Sequence, residues 1–184
     1  MLIENEFTVE ATPEQTWAFL LDVEKVVPCM PGAELTETVD ERNWKGKVSI
    51  KFGPVGLAFA GTVEMVSRDD AAKKVQLSAK GMEQKGKGAA SATVTSWVEP
   101  AGANASTVKT QADITMTGAV AQLSRGLLPE VSKRLTAEFA DRLKAAMTGA
   151  AMPEGAGDNS INALGLGVKA VGGAIAGVFK KKDD

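Results

Sequence analysis

Between residues 44 and 117 the chain alternates apolar and polar side chains again and again, and only a few residues separate one alternating run from the next. Trp44, Gly46, Val48, Ile50 and Phe52 fall on one face of the first run, with Lys45, Lys47, Ser49 and Lys51 on the other. Gly53-Pro54 signals a turn. Residues 55–66 then place Val55, Leu57, Phe59, Val63 and Met65 together. After Arg68-Asp69-Asp70, residues 74–80 set Val75, Leu77 and Ala79 against Lys74, Gln76, Ser78 and Lys80. Residues 88–99 carry Val94, Trp97 and Val98, and residues 106–117 align Val108, Ala112, Ile114 and Met116 beyond a PAGANA loop at 100–105. Period two is the spacing of a half-buried strand, because successive side chains point to opposite faces. Links this short join only antiparallel neighbours. Residues 2–10 alternate in the same way (Ile3, Phe7 and Val9 against Glu4, Glu6 and Thr8), and residues 34–40 do so weakly, which makes seven strands.

The period changes twice. Thr12-Pro13-Glu14-Gln15 has the form of a helix start, with Thr12 as N-cap, Pro13 at the first helical position and Gln15 completing a capping box. Trp17, Phe19, Leu20 and Leu21 give this helix its apolar contacts, and Val23 to Val27 add a turn before Pro28 stops it. Residues 119–147 place Leu123, Leu127, Val131, Leu135, Phe139 and Leu143 at i+4 spacing, with Leu128 and Met147 beside them. That is an amphipathic helix whose stripe lies on the sheet. Pro129 removes one of its backbone hydrogen bonds and predicts a kink or interruption near Leu128. The order is βααβ6α, an α+β domain over residues 1–147. A small, Gly-rich linker follows at 148–160, and a distinct tail at 161–184.

Composition narrows the chemistry. Lys and Arg total 21 against 23 Asp and Glu, and a net charge of −2 argues against nucleic acid as the main partner. Histidine and tyrosine are absent, which removes the commonest general base and the commonest metal ligand, so no catalytic residues are expected. Cys29 is the single cysteine, too few for a disulfide or a cysteine metal cluster, and no metal site is expected. The opening MLIENEFTVEA places acidic residues where a secretory signal needs basic and then apolar ones, so a cytoplasmic protein is expected.

Several separated stretches together resemble the G-subunit family of carbon monoxide dehydrogenase, within the START-like helix-grip (SRPBCC) superfamily. They are Val26-Val27-Pro28-Cys29-Met30-Pro31-Gly32-Ala33, Lys51-Phe52-Gly53-Pro54-Val55, Phe59-Ala60-Gly61-Thr62-Val63 and Ser124-Arg125-Gly126, after the strand and the Pro-started helix with Trp17. The resemblance covers roughly residues 1–147. It implies a curved antiparallel sheet gripping the long C-terminal helix, with a hydrophobic ligand held between them. It also implies a link to a molybdenum-containing carbon monoxide dehydrogenase, without giving this chain the catalytic cofactor.

Within such a fold the inward set is Trp44, Val48, Ile50, Phe52, Leu57, Phe59, Met65, Met82, Val94, Met116, Leu123, Leu127 and Leu128. Any one of these, taken singly, reads as ordinary core. Gly46, Gly61, Ala79, Ala90 and Ala92 among them fill space poorly, and the methionines adapt to a greasy ligand, which together favour a ligand cavity. Pro28, Cys29, Met30, Pro31 and Gly32 read either as a rigid cavity-mouth loop with Cys29 at the ligand or as a buried structural turn. Without a histidine to activate it, Cys29 is a poor nucleophile. Gly81-Met82-Glu83-Gln84-Lys85-Gly86-Lys87-Gly88 approaches a phosphate-binding loop. However, Gly88 replaces the magnesium-binding hydroxyl and no helix pattern opens there, so a hairpin loop acting as a flap fits better.

In the tail, Ile161, Leu164, Val168, Val171, Ile175 and Val178 form one helical stripe, with Phe179 beside it and Lys180, Lys181 and Lys182 closing the run. A Lys cluster gains roughly 1 kcal/mol per residue near an anionic lipid surface. With five glycines the run is too weakly apolar to favour spanning, so peripheral attachment to the inner face of the cell membrane is expected. Gly173 and Gly177 also form a GxxxG pair suited to a partner helix, and the glycines equally suit a tail that orders only on lipid. Hydrophobic cargo, membrane and dehydrogenase together point to a bound respiratory quinone, of menaquinone or ubiquinone type, delivered by a protein that is not an enzyme. A membrane tether without cargo and an assembly factor for the dehydrogenase are the alternatives.

Overall fold

The computed structural model describes residues 1–52, 55–151 and 153. Its elements are β1 (Leu2–Val9), α1 (Pro13–Leu21), α2 (Val23–Val26), a 3-10 turn (Val27–Cys29), β2 (Ala33–Thr38), β3 (Asn43–Phe52), β4 (Val55–Asp69), β5 (Lys74–Glu83), β6 (Ala89–Pro100), β7 (Ser106–Met116) and α3 (Ala119–Thr148). The seven strands form one sheet in the order β1-β7-β6-β5-β4-β3-β2, with every neighbouring pair antiparallel. From β2 to β7 the chain is a simple meander, as the short links require. The two small helices carry it from β1 at one edge to β2 at the other.

The capping box forms as the sequence implies. Thr12 Oγ1 accepts from the Gln15 N–H at 3.3 Å, and Gln15 Oε1 accepts from the Thr12 N–H at 3.1 Å. α2 ends at Val26, before Pro28, as the sequence implies, and Pro28 lies in the 3-10 turn that follows, at an opening position where its missing N–H has no partner to lose. The expected interruption at Pro129 is not found, and α3 runs unbroken from Ala119 to Thr148. Pro129 is exposed while Leu128, Val131 and Ser132 around it are half-buried, so packing on the inner side holds the helix across the one missing bond.

Three apolar clusters fix the layers. Trp17 of α1 packs with Trp44, Met65, Val75 and Val98 of the sheet. Val9 and Cys29 pack with Leu143 near the end of α3, where the Phe7 and Phe139 rings meet edge to face at 5.6 Å. Leu57 and Phe59 of β4 pack with Val120 in the first turn of α3. The long helix is therefore pinned at both ends, by Val120 and by Leu143, each fully buried. Between these points it meets the sheet chiefly at β1 and β7.

At Gly61 a Cβ would lie 1.9 Å from the Lys80 carbonyl oxygen and 2.6 Å from Gly81 Cα. β4 and β5 approach there too closely for any side chain.

Candidate functional site

Strand register sets what faces α3. Gly46 pairs with Gly61, Gly61 with Gly81, and Gly81 with Ala90, so four small residues form one row across β3 to β6. In the adjacent row Ala79 pairs with Ala92, between Val63 and Ile114. The middle of the inner face is thus a floor without bulk, and larger side chains stand around it. Val48, Ile50, Leu77, Val94, Ile114 and Met116 are on this face yet only half-buried. Leu77 packs in part against the Trp17–Trp44–Met65 cluster, and Val48 and Met116 against Leu57, Phe59 and Val120.

The structure sorts the inward set into groups. Val48, Ile50, Val94 and Met116 stand half-buried on the inner face, Val48 and Met116 against the Leu57–Phe59–Val120 cluster, and Leu128 is half-buried on α3. Leu57 and Phe59 are buried at the end closed by Val120. Trp44 and Met65 point the same way but are shut into the core beneath α1. The side chains of Phe52, Leu123 and Leu127 lie outside the described residues. Met82 is a correction: it is 66% exposed, on the outer face. Val75, Leu77 and Ala79 point inward, so parity turns Gly81 and Glu83 inward and Met82 outward. There Met82 joins Ala60, Thr62, Lys80, Ser91 and Thr115 around an open groove of about 430 Å³.

Polar groups on the inner face are few. Ser96 and Thr110 hydroxyls share a hydrogen bond of 2.9 Å, and Asn5 Nδ2 donates to Ser132 Oγ of α3 at 2.8 Å. Glu83 is only 4% exposed. Its Oε2 accepts from the N–H groups of Lys85 and Lys87 at 2.9 and 3.1 Å, and its Oε1 has no partner at hydrogen-bond geometry among the described residues. In the sequence Glu83 passes for a polar loop residue, although the parity of β5 already points it inward.

The Pro28–Gly32 loop is anchored through Cys29. Cys29 is fully buried against Val9 and Leu143, and its Sγ–H donates to the Lys25 carbonyl at 3.4 Å. Burial pushes its thiol up, against a weaker lowering by the Arg142 charge, which leaves it a poor nucleophile. Of the two readings of this loop, the burial of Cys29 against Val9 and Leu143 fits the structural turn. Pro31 is buried, while Pro28 and Met30 are exposed. Gly32 has φ +72°, and a Cβ there would meet the Ser49 carbonyl oxygen at 2.1 Å.

The glycine-rich stretch at 81–88 completes β5 and turns directly into β6, so no phosphate-cradling helix opens on it. Nor is it a free flap. The Val120 N–H donates to the Lys87 carbonyl at 3.1 Å, and the Thr117 N–H to the Ala89 carbonyl at 2.9 Å, which ties the turn to the start of α3. The tail stripe Ile161, Leu164, Val168, Val171, Ile175, Val178 and Phe179, with Lys180, Lys181 and Lys182, lies outside the described residues. Among the described residues no helix is long and apolar enough to cross a membrane, and no group of acidic or cysteine side chains is arranged to hold a metal ion.

A conserved protein from Geobacillus kaustophilus is similar in structure, with a TM-score of 0.72 at 19% identity over 81% of this chain and 96% of that one. The Zhui aromatase/cyclase from Streptomyces sp. R1128 is similar at TM-score 0.60 and 12% identity, over 80% and 93%. Norcoclaurine synthase from Thalictrum flavum, in complex with dopamine and hydroxybenzaldehyde, is similar at 0.56 and 14%, over 83% and 89%. At such identities the likeness shows the fold alone, the helix-grip arrangement of curved sheet and long helix. No curated protein matches the sequence. The family model for CoxG, the G subunit of carbon monoxide dehydrogenase, matches residues 6–148, nearly the whole described domain, and the chain belongs to that family.

Proposed function

We propose that this chain is a non-catalytic carrier that holds a respiratory quinone, of menaquinone or ubiquinone type, between sheet and α3, and moves it between the membrane and carbon monoxide dehydrogenase. The observation that carries this reading is the inner face: a floor of Gly46, Gly61, Gly81, Ala79, Ala90 and Ala92 beneath a helix pinned at its two ends. A lipophilic molecule gains about 0.8 kcal/mol for each CH₂ taken out of water, so a long apolar tail is the cargo for which shielding matters most. The absence of histidine and tyrosine and the sealed Cys29 favour carriage over catalysis. The family's name supplies the dehydrogenase as partner. The apolar stripe and Lys cluster of 161–184 support contact with lipid.

The test is transfer from vesicles. Full-length protein is mixed with anionic vesicles carrying quinone, the vesicles are sedimented, and quinone is measured in the supernatant. The reading expects quinone to remain with the protein, and Ala92→Leu, which raises the floor, to cut that amount about ten-fold, a loss of roughly 1.4 kcal/mol. Quinone confined to the pellet, or transfer unchanged in a folded Ala92→Leu protein, contradicts it.

A further inference from the structure

Among the described residues, Glu83 is the side chain whose chemistry the fold leaves incomplete. It is 4% exposed and stands on the inner face, paired across the sheet with Phe59. Its Oε2 accepts from the Lys85 and Lys87 N–H groups, at 2.9 and 3.1 Å, which orients the carboxylate. Its Oε1 is buried without a partner at hydrogen-bond geometry among the described residues. A carboxylate oxygen left so costs more than an ordinary polar group, and proteins rarely keep one without a use. Burial raises the Glu83 carboxyl, but the N–H groups of Lys87, Lys85 and Ala58 and the Lys87 charge outweigh it and hold it below the ordinary range. The group is therefore an acceptor only at neutral pH. The elements around it are those that close the end of the inner face: buried Leu57, Phe59 and Val120, and the Val120 N–H to Lys87 carbonyl hydrogen bond of 3.1 Å. Oε1 is thus shielded from bulk water at this end of the inner face.

We propose that Glu83 is the polar anchor of the cargo site, its Oε1 accepting a hydrogen bond from an O–H or N–H of an otherwise apolar molecule. This rests on the carrier reading and deepens it. A quinone head offers only carbonyl acceptors and leaves Oε1 unpaired, whereas the two-electron, two-proton reduced quinol offers hydroxyl donors. The site accordingly favours the reduced form, and the carrier holds what the dehydrogenase has reduced more firmly than what it has yet to reduce.

The experiment compares three probes of one shape on the full-length protein by isothermal titration calorimetry: decylubiquinone, decylubiquinol kept reduced under anaerobic conditions, and the quinol dimethyl ether, which has no O–H. Wild type is expected to bind the quinol about ten-fold more tightly than either of the others, the scale of a hydrogen bond to a charged group. Glu83→Gln, which supplies a donor as well as an acceptor, is expected to bring the three within about two-fold, with thermal unfolding confirming its fold. If wild type binds all three equally, Glu83 is not the anchor and the carrier reading stands. If none binds, the carrier reading itself falls and this inference with it. The ether comparison needs no mutation, so a Glu83→Gln protein that fails to fold leaves the test intact.

Discussion

Gly61 shows how one residue shapes the sheet. With the Lys80 carbonyl oxygen 1.9 Å from where its Cβ would be, Gly61→Ala forces β4 and β5 apart along their whole pairing. We expect it to destabilise the fold by about 3 kcal/mol, the upper range for overpacking, read as a lower urea midpoint. A midpoint unchanged from wild type would mean the strands can part there without cost. Met82 and Glu83 show at the same scale what alternation gives and where it slips. The rule that turned Val75, Leu77 and Ala79 inward also assigns residues 81, 82 and 83, but their glycine- and lysine-rich surroundings resemble a loop. Read as a loop, the stretch gives Glu83 no face, and hydrophobicity alone places Met82 inside. β5 extends to Glu83, which turns Met82 outward and Glu83 inward. A methionine sits on the surface at little cost, while a buried carboxylate stays because backbone N–H groups hold it.

Elements were more legible than residues. Among the described residues the seven strands and the helices form where period two, the capping box and the i+4 stripe put them, with β5 running on to Glu83, because these patterns are set locally by which face is buried. What the patterns could not say is which inner residues each helix covers. Trp44 and Met65 share a face with Val48 and Val94, yet α1 closes over the first pair and leaves the second open, a matter of where a helix docks on a curved sheet. Pro129 belongs to this scale too. It lies inside α3 without ending it, so the helix tolerates a lost backbone bond above the inner face. Pro129→Ala restores the N–H donor and is expected to stabilise the protein by about 1–3 kcal/mol, measured as a raised unfolding midpoint. A lowered midpoint would mean the proline's fixed φ, not its cost, is what α3 depends on.

At the scale of the whole molecule, charges among the described residues are held in local pairs. Lys109 holds the Glu99 carboxyl below its ordinary range with help from Trp97, Arg68 and Trp17 do so for Asp70, and Lys25 for Asp22. Lys109 is in turn raised by Glu99. A carboxyl lowered on folding adds stability above its unfolded value near pH 4 and loses it as pH falls through the folded value. A raised lysine adds stability below about pH 10.4 and loses it above. Unfolding midpoints are therefore expected to be flat between about pH 6 and 8 and to fall on acidification below about pH 4. A midpoint that rises on acidification would contradict this. The same whole-molecule view returns to the space between sheet and helix, on which the functional account depends. The most direct measurement is mass spectrometry of the small molecules extracted from purified full-length protein. A quinone at close to one molecule per chain is the result the account predicts. Extracts holding only phospholipid, or no lipophilic molecule at all, would contradict it.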